Sequence, residues 1–184
     1  ATVTELKVSS TGEKSVKLSW KKVTGADSYA IYRYDSTSKK WQRIKTVKAV
    51  SFTDSGLARA KGYSYKVKAV KKSGGKEYIS ASYSKAVEAV TKPAKASCTA
   101  KSARSGSIEV SWKAVGGASG YEIYSSSNGS DYVKSAKVGG SQKSAIVSGF
   151  EPYSLRMVKV RAYKTVNGKT SYGAFSQAVM VIVK

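Results

Sequence analysis

The sequence predicts an all-β protein made of two consecutive seven-stranded sandwiches, residues 1–92 and 93–184. Three observations predict it. Short stretches alternate apolar and polar residues with period two, as in "VKLSW" at 16–20, the pattern of a half-buried strand. The chain matches itself along its whole length at an offset of 91 to 93 residues. No segment shows the apolar spacing of an amphipathic helix.

The elements follow in order. In the first copy, strands are expected near 4–8, 15–21, 28–34, 41–47, 51–54, 63–71 and 83–90. Val16, Leu18 and Trp20 form the inward side of the second, and Tyr29 and Ile31 that of the third. Turn chemistry separates the strands: Thr24-Gly25, Ser73-Gly74-Gly75 and, in the second copy, Gly116-Gly117, Asn128-Gly129 and Asn167-Gly168. The repeat places "IEVSWKAVGGASGYEIY" on "VKLSWKKVTGADSYAIY", so Ile108, Val110, Trp112, Tyr121 and Ile123 inherit the same inward positions. "YVKSAKV" falls on "WQRIKTV", "SAIVSGF" on "SFTDSGL" and "FSQAV" on "YSKAV". The boundary is expected near Thr91-Lys92-Pro93, with a short linker over 91–95. Strands at this density in a copy of about 90 residues fit a β-sandwich.

Trp20 closing the second strand, "GADSYAIYR" forming the third, and Gly56-Leu57 followed by Tyr63-Ser64-Tyr65-Lys66-Val67-Lys68-Ala69 together resemble fibronectin type III domains, a seven-stranded immunoglobulin-like sandwich. The lysine-rich style, with "YEIY" and "GGK", is similar to tandem copies in secreted and surface proteins of Gram-positive bacteria. The resemblance implies an extracellular location at a bacterial cell surface. It also implies a non-catalytic spacer or interaction role, in adhesion or cell-wall attachment. It assigns Tyr65 to the corner tyrosine whose hydroxyl ties back to the chain before its strand. Val158 stands there in the second copy, where Tyr153 is the candidate to hold the corner instead. Cys98 aligns with Leu6, an inward position, and reads as a buried small hydrophobe.

Charge is lopsided: 33 Lys+Arg against 11 Asp+Glu, net +22. Both halves share it, with 20 basic and 7 acidic residues in 1–92 and 13 and 4 in 93–184. Either half would attract a polyanion, such as a wall polymer or an acidic glycan, though charge alone also serves solubility. No apolar run reaches the length of about 18 residues that a membrane span needs, and the N-terminus lacks a signal-peptide pattern.

The chemistry expected of an enzyme is missing from the inventory. There is no histidine to serve as a base and a single cysteine, so neither a nucleophile–base pair nor a zinc site is expected. No metal ion or cofactor is expected. "SGGK" and "NGK" lie between strands and read as hairpin turns, not phosphate loops. Asn128-Gly129-Ser130 matches a glycosylation sequon but reads as a turn. No sequence-specific nucleic-acid motif is present.

Two surfaces stand out. With Tyr29 and Ile31 inward, Ala30, Tyr32 and Tyr34 point outward. With Tyr65, Val67 and Ala69 inward, Lys66 and Lys68 point outward on a neighbouring strand. Tyr32, Tyr34, Lys66 and Lys68 therefore form a candidate ligand-binding face, with Tyr124, Lys159, Arg161 and Tyr163 as its counterpart in the second copy. Rings beside cations suit an anionic polymer or glycan. The alternative is a solvated face stabilised by cross-strand Tyr–Lys packing. The second surface is the last strand. Where the first copy has Glu88, the second has Met180, and Met180 and Ile182 are expected outward as an apolar edge. The expected partners are other domains of one polypeptide, with weak self-association through that edge as the alternative to a monomer.

Overall fold

The computed structural model describes residues 1–184. Every regular element is a strand, and the chain divides into two units. Residues 1–58 and 62–91 make the first, and residues 92–184 the body of the second.

In the first unit, β1 (Lys7–Thr11), β2 (Ser15–Ser19) and β5 (Ser51–Ser55) form a three-stranded sheet in the order β1-β2-β5. The facing sheet has β3 (Ser28–Asp35), β4 (Lys40–Val47), β6 (Gly62–Ser73) and β7 (Lys76–Ile79) in the order β4-β3-β6-β7. β8 (Val87–Val90) also pairs with β6. All pairings are antiparallel.

The second unit repeats the plan. β9 (Cys98–Arg104), β10 (Ser107–Trp112) and β13 (Ser144–Ser148) form one sheet. β11 (Gly120–Ser126), β12 (Val133–Gly139), β14 (Leu155–Val166) and β15 (Lys169–Tyr172) form the other, with β16 (Val179–Ile182) on β14.

The alternating strands bury the residues the pattern assigns. Val16, Leu18, Ile31, Tyr65 and Val67 are fully buried between the sheets of the first unit. Ile108, Val110, Ile123, Val158 and Val160 are fully buried in the second. Each such aliphatic side chain contributes about 1.5–3 kcal/mol relative to exposure. The repeated tryptophan explains itself here. Trp20 packs edge-on against Tyr29 at 5.4 Å between ring centroids, and Tyr29 Oη accepts a 2.9 Å hydrogen bond from the Val23 amide. Trp112 meets Tyr121 at 5.1 Å, and Tyr121 Oη accepts from the Val115 amide at 2.7 Å. Each pair closes one end of a core and ties the loop after its strand to it.

Four expectations need correction. The first strand runs over 7–11 rather than 4–8. Glu5 takes φ 55°, a left-handed turn that breaks the extended run while Val3 still reaches the core. The expected 83–90 strand is cut back to β8 (Val87–Val90) and is preceded by an additional strand, β7 (Lys76–Ile79), an arrangement that β15 and β16 repeat. Between them, serine hydroxyls take over the ladder. Ser84 donates its amide to the Val67 carbonyl at 2.9 Å, and its Oγ accepts from the Val67 amide at 3.0 Å. Ser80 does the same on Ala69, at 2.9 and 3.2 Å. Ser176 repeats this on Val160, at 2.8 and 3.0 Å.

The third correction concerns the corner. Tyr63, not Tyr65, holds it: Tyr63 Oη accepts a 2.9 Å hydrogen bond from the Ala58 amide. Tyr65 points into the core instead and donates to Asp54 Oδ2 at 2.8 Å. Burial and the Asp54 carboxylate push its phenol well above the usual tyrosine range. In the second copy, Tyr153 is 87% exposed and holds no corner through its ring. Backbone bonds do that work: Tyr153 N–H donates to Val183 O at 2.8 Å, and Val183 N–H to Ser154 O at 3.0 Å. Finally, Cys98 is only half-buried, packed on the core with its Sγ 3.1 Å from Ser176 Oγ.

Candidate functional site

The pairing of β3 with β6 sets Tyr32 opposite Lys66 and Ala30 opposite Lys68. All four face away from the core, as expected. Two rings that the periodicity alone does not point to complete the face. Trp41, on β4, lies opposite Tyr34, and the two rings meet at a tilt of 60° with 5.4 Å between centroids. Tyr83 sits in the serine-bonded segment between β7 and β8, which carries its ring over the sheet to meet Tyr32 edge-on at 5.0 Å.

The lysines thread between these rings. Lys66 Nζ lies 4.5 Å from the Trp41 centroid and 5.3 Å from that of Tyr83. Lys68 Nζ lies 4.2 Å from Tyr83 and donates to the Ala81 carbonyl at 2.9 Å. Tyr34 therefore reaches Trp41 but not the lysines, and Tyr32 reaches them through Tyr83. Arg43 is the neighbour of Tyr32 on β4, and Glu77 takes up Arg43 at 3.1 Å and Lys72 at 3.7 Å. Burial, then the neighbouring Tyr83 hydroxyl, raise the Tyr32 phenol above its ordinary value.

The second unit builds the same ladder. Tyr124 lies opposite Lys159, Glu122 opposite Arg161 and Gly120 opposite Tyr163. Tyr132 and Phe175 take the places of Trp41 and Tyr83. Lys159 Nζ is 3.5 Å from the Tyr132 centroid and 4.5 Å from Phe175. The Arg161 guanidinium lies 4.1 Å from Tyr172, 4.8 Å from Phe175 and 5.2 Å from Tyr124. Tyr163 lies over Gly120, tilted against Tyr172 at 6.3 Å between centroids, with Lys137 4.6 Å from its own centroid. A Cβ at Gly120 would run into the Val138 carbonyl oxygen and into the Tyr163 ring, which is why glycine opens β11.

Known proteins resemble this architecture. Two fibronectin type III domains of chicken tenascin, at 17% identity, match 97% of this chain and 96% of their own with a TM-score of 0.53. The fold is a tandem of fibronectin type III sandwiches. A structure described as the FN1–FN3 domains of chicken CNTN1 also matches, over all of this chain and 67% of its own, at 16% identity and a TM-score of 0.48. In sequence, the chain is 41% identical over 100 residues to a poly(3-hydroxybutyrate) depolymerase of Ralstonia pickettii. That match takes in 54% of this chain and 18% of the depolymerase, so the chain spans less than a fifth of that relative. No family model matches the chain.

The two domains differ under their ladders. In the second, Glu122 is 1% exposed. Its carboxylate accepts from Arg161 Nη2 at 2.7 Å, Arg161 Nε at 3.0 Å and Lys134 Nζ at 3.3 Å. Burial pushes the Glu122 carboxyl up, but these hydrogen bonds outweigh it and hold the group below its ordinary value. The first domain has Ala30 at that place. It keeps its buried carboxylate inside the core instead, where Asp54 Oδ2 receives Tyr65 and Arg33 Nη1, each at 2.8 Å. The second domain replaces that whole group with Ser125, Val147 and Val158.

The predicted edge lies on the outer face of the second domain. β16 sets Met180 opposite Met157 and Ile182 opposite Leu155. Met180 and Ile182 are 66% and 65% exposed.

Proposed function

We propose that this tandem is a non-catalytic spacer and interaction module of a larger extracellular protein, in which it holds another domain at a distance from its target. The observation that carries this reading is the length of the depolymerase match: about one domain of this chain, within a relative several times longer. That is how an accessory module aligns. The side chains agree with it, since a chain without histidine offers no ordinary base for a serine nucleophile. The test is turnover of a short-chain hydroxybutyrate ester by the purified chain, with retention on a poly(3-hydroxybutyrate) suspension measured alongside. No turnover and no saturable retention is the expected result. Hydrolysis of the ester would overturn the reading.

The aromatic and cationic ladder favours a second reading, a binding module for an anionic polymer or glycan, in adhesion or wall attachment. Lys66 and Lys68 in one domain, and Lys159 and Arg161 in the other, stand among rings on open sheet faces. A spacer predicts that Tyr32→Ala and Lys66→Glu change nothing but local stability. A binding module predicts lost retention on an acidic polymer in both variants, and a steep dependence on salt.

A further inference from the structure

We infer that the two ladders are not equivalent: the outer face of the first domain binds an acidic polysaccharide, and that of the second is neutralised from within by Glu122. The inference rests on the second reading above and assigns it a domain and a ligand class.

Two independent differences separate the faces. The first is charge. Glu122 lies beneath Arg161 and Lys134 and takes three hydrogen bonds from them, so two of the cations that a polyanion would seek are already paired. In the first domain the same place is Ala30, and Lys66 and Lys68 meet ring faces and one backbone carbonyl rather than a carboxylate. Glu77 draws off Arg43 and Lys72 but not these two. A cation over a ring keeps its full charge and remains able to pair with an incoming anion.

The second difference is a stacking platform. Tyr34 and Trp41 lie at the end of the first ladder, and Tyr34 is 40% exposed. The equivalent of Tyr34 in the second domain is Ser126, 3% exposed and bonded to Asn128. The second face keeps Lys159 over Tyr132 and a ring pair in Tyr163 and Tyr172, but it has no ring at the Tyr34 position, so only the first sets the Tyr34–Trp41 pair beside two cations free of any carboxylate. The apolar face of a sugar ring stacks on such a platform while its carboxylate reaches Lys66, whose Nζ is already 4.5 Å from the Trp41 centroid. A simple inorganic polyanion uses the cations but not the rings, so the pair of features selects a charged carbohydrate.

Titration calorimetry of the full chain with a galacturonate tetrasaccharide, at about 150 mM salt where distant charges are screened, tests this. One site per chain is expected, with the neutral galactose tetrasaccharide inert. Ala30→Glu, which copies the carboxylate of the second domain beneath Lys68 and Arg43, should weaken binding about tenfold or more, as lost pairing of a charge does. Ala30 is buried, so Tyr34→Ser provides a second variant at an exposed position, and it should weaken binding as well. Glu122→Ala combined with Arg161→Lys should add a second, weaker site. Two equal sites in the unaltered chain would overturn the inequivalence and leave the binding reading standing. No binding of any acidic sugar would overturn both. Preference for an oligothymidylate over the tetrasaccharide would overturn the ligand class.

Discussion

Asp54 sits 7% exposed in the first domain, between Tyr65 and Arg33. A buried carboxylate is tolerated when its partners are well placed, and removing it strands them. Asp54→Ala is expected to lower the unfolding free energy by about 3 kcal/mol, because the Arg33 and Tyr65 groups lose their acceptor. Replacing all three by the second domain's residues, Arg33→Ser, Asp54→Val and Tyr65→Val, should recover most of that loss. Urea denaturation of the single and triple variants measures both. If the triple variant is no more stable than Asp54→Ala, the group contributes stability that valines cannot replace. Glu122 supports a different expectation. Its native pKa lies below the ordinary glutamate value, so its stabilisation is complete above that value and is lost as pH falls through the lower native one. The unaltered chain should lose stability below about pH 4.5, and Glu122→Gln should flatten that part of the profile. Acid titration followed by tryptophan fluorescence reads it, Trp112 reporting on the second core.

At the scale of the element, the interrupted last strand links fold to face. Ser84 and Ser176 accept the amides of Val67 and Val160 through their side chains, so the backbone between the strand segments bows outward while the ladder stays satisfied. Tyr83 and Phe175 ride on that bow. Ser84→Ala would leave the buried Val67 amide without its side-chain acceptor, at a cost of about 1–3 kcal/mol. It should also loosen Tyr83 against Tyr32. Hydrogen exchange at Val67 and the binding heat should therefore change together. Faster exchange with unchanged binding would show that Tyr83 is not held by this segment. The same element explains what was legible in the sequence. Period two placed Tyr32, Lys66, Tyr124 and Lys159 on one side because those strands are regular. It could not place Tyr83 or Phe175, whose segment leaves the strand geometry, nor Trp41, which is recognised only once β4 is set beside β3. The corner role expected of Tyr65 falls two residues earlier, on Tyr63. Parity puts Tyr65 inward correctly, but which hydroxyl finds the Ala58 amide depends on the approach of the preceding loop.

At the scale of the whole molecule, the repeat and the tryptophan–tyrosine pairs made the architecture readable, since both report on cores that each copy must bury by itself. The faces were harder to read because equal positions carry unequal neighbours: Glu122 against Ala30 changes a ladder without changing its visible rings. Net charge sets a further constraint on the exposed edge. Met180, Ile182, Leu155 and Met157 lie together on β14 and β16, and an uncovered apolar edge favours pairing with a second copy. A charge of +22 on each chain opposes that approach. Salt should therefore promote association: the screening length falls from about 30 Å at 0.01 M to about 8 Å at 0.15 M, while the apolar contact is unaffected. Light scattering of the concentrated chain should show a monomer at low ionic strength and growing association as salt rises. Met180→Lys should remove the growth by placing a charge in the centre of the patch. A chain that stays monomeric at every salt concentration, with Met180→Lys indistinguishable from it, would show that this edge does not pair copies of the chain. Loss of association with rising salt would instead assign self-contact to charge pairs, which the scarcity of acidic residues makes the weaker expectation.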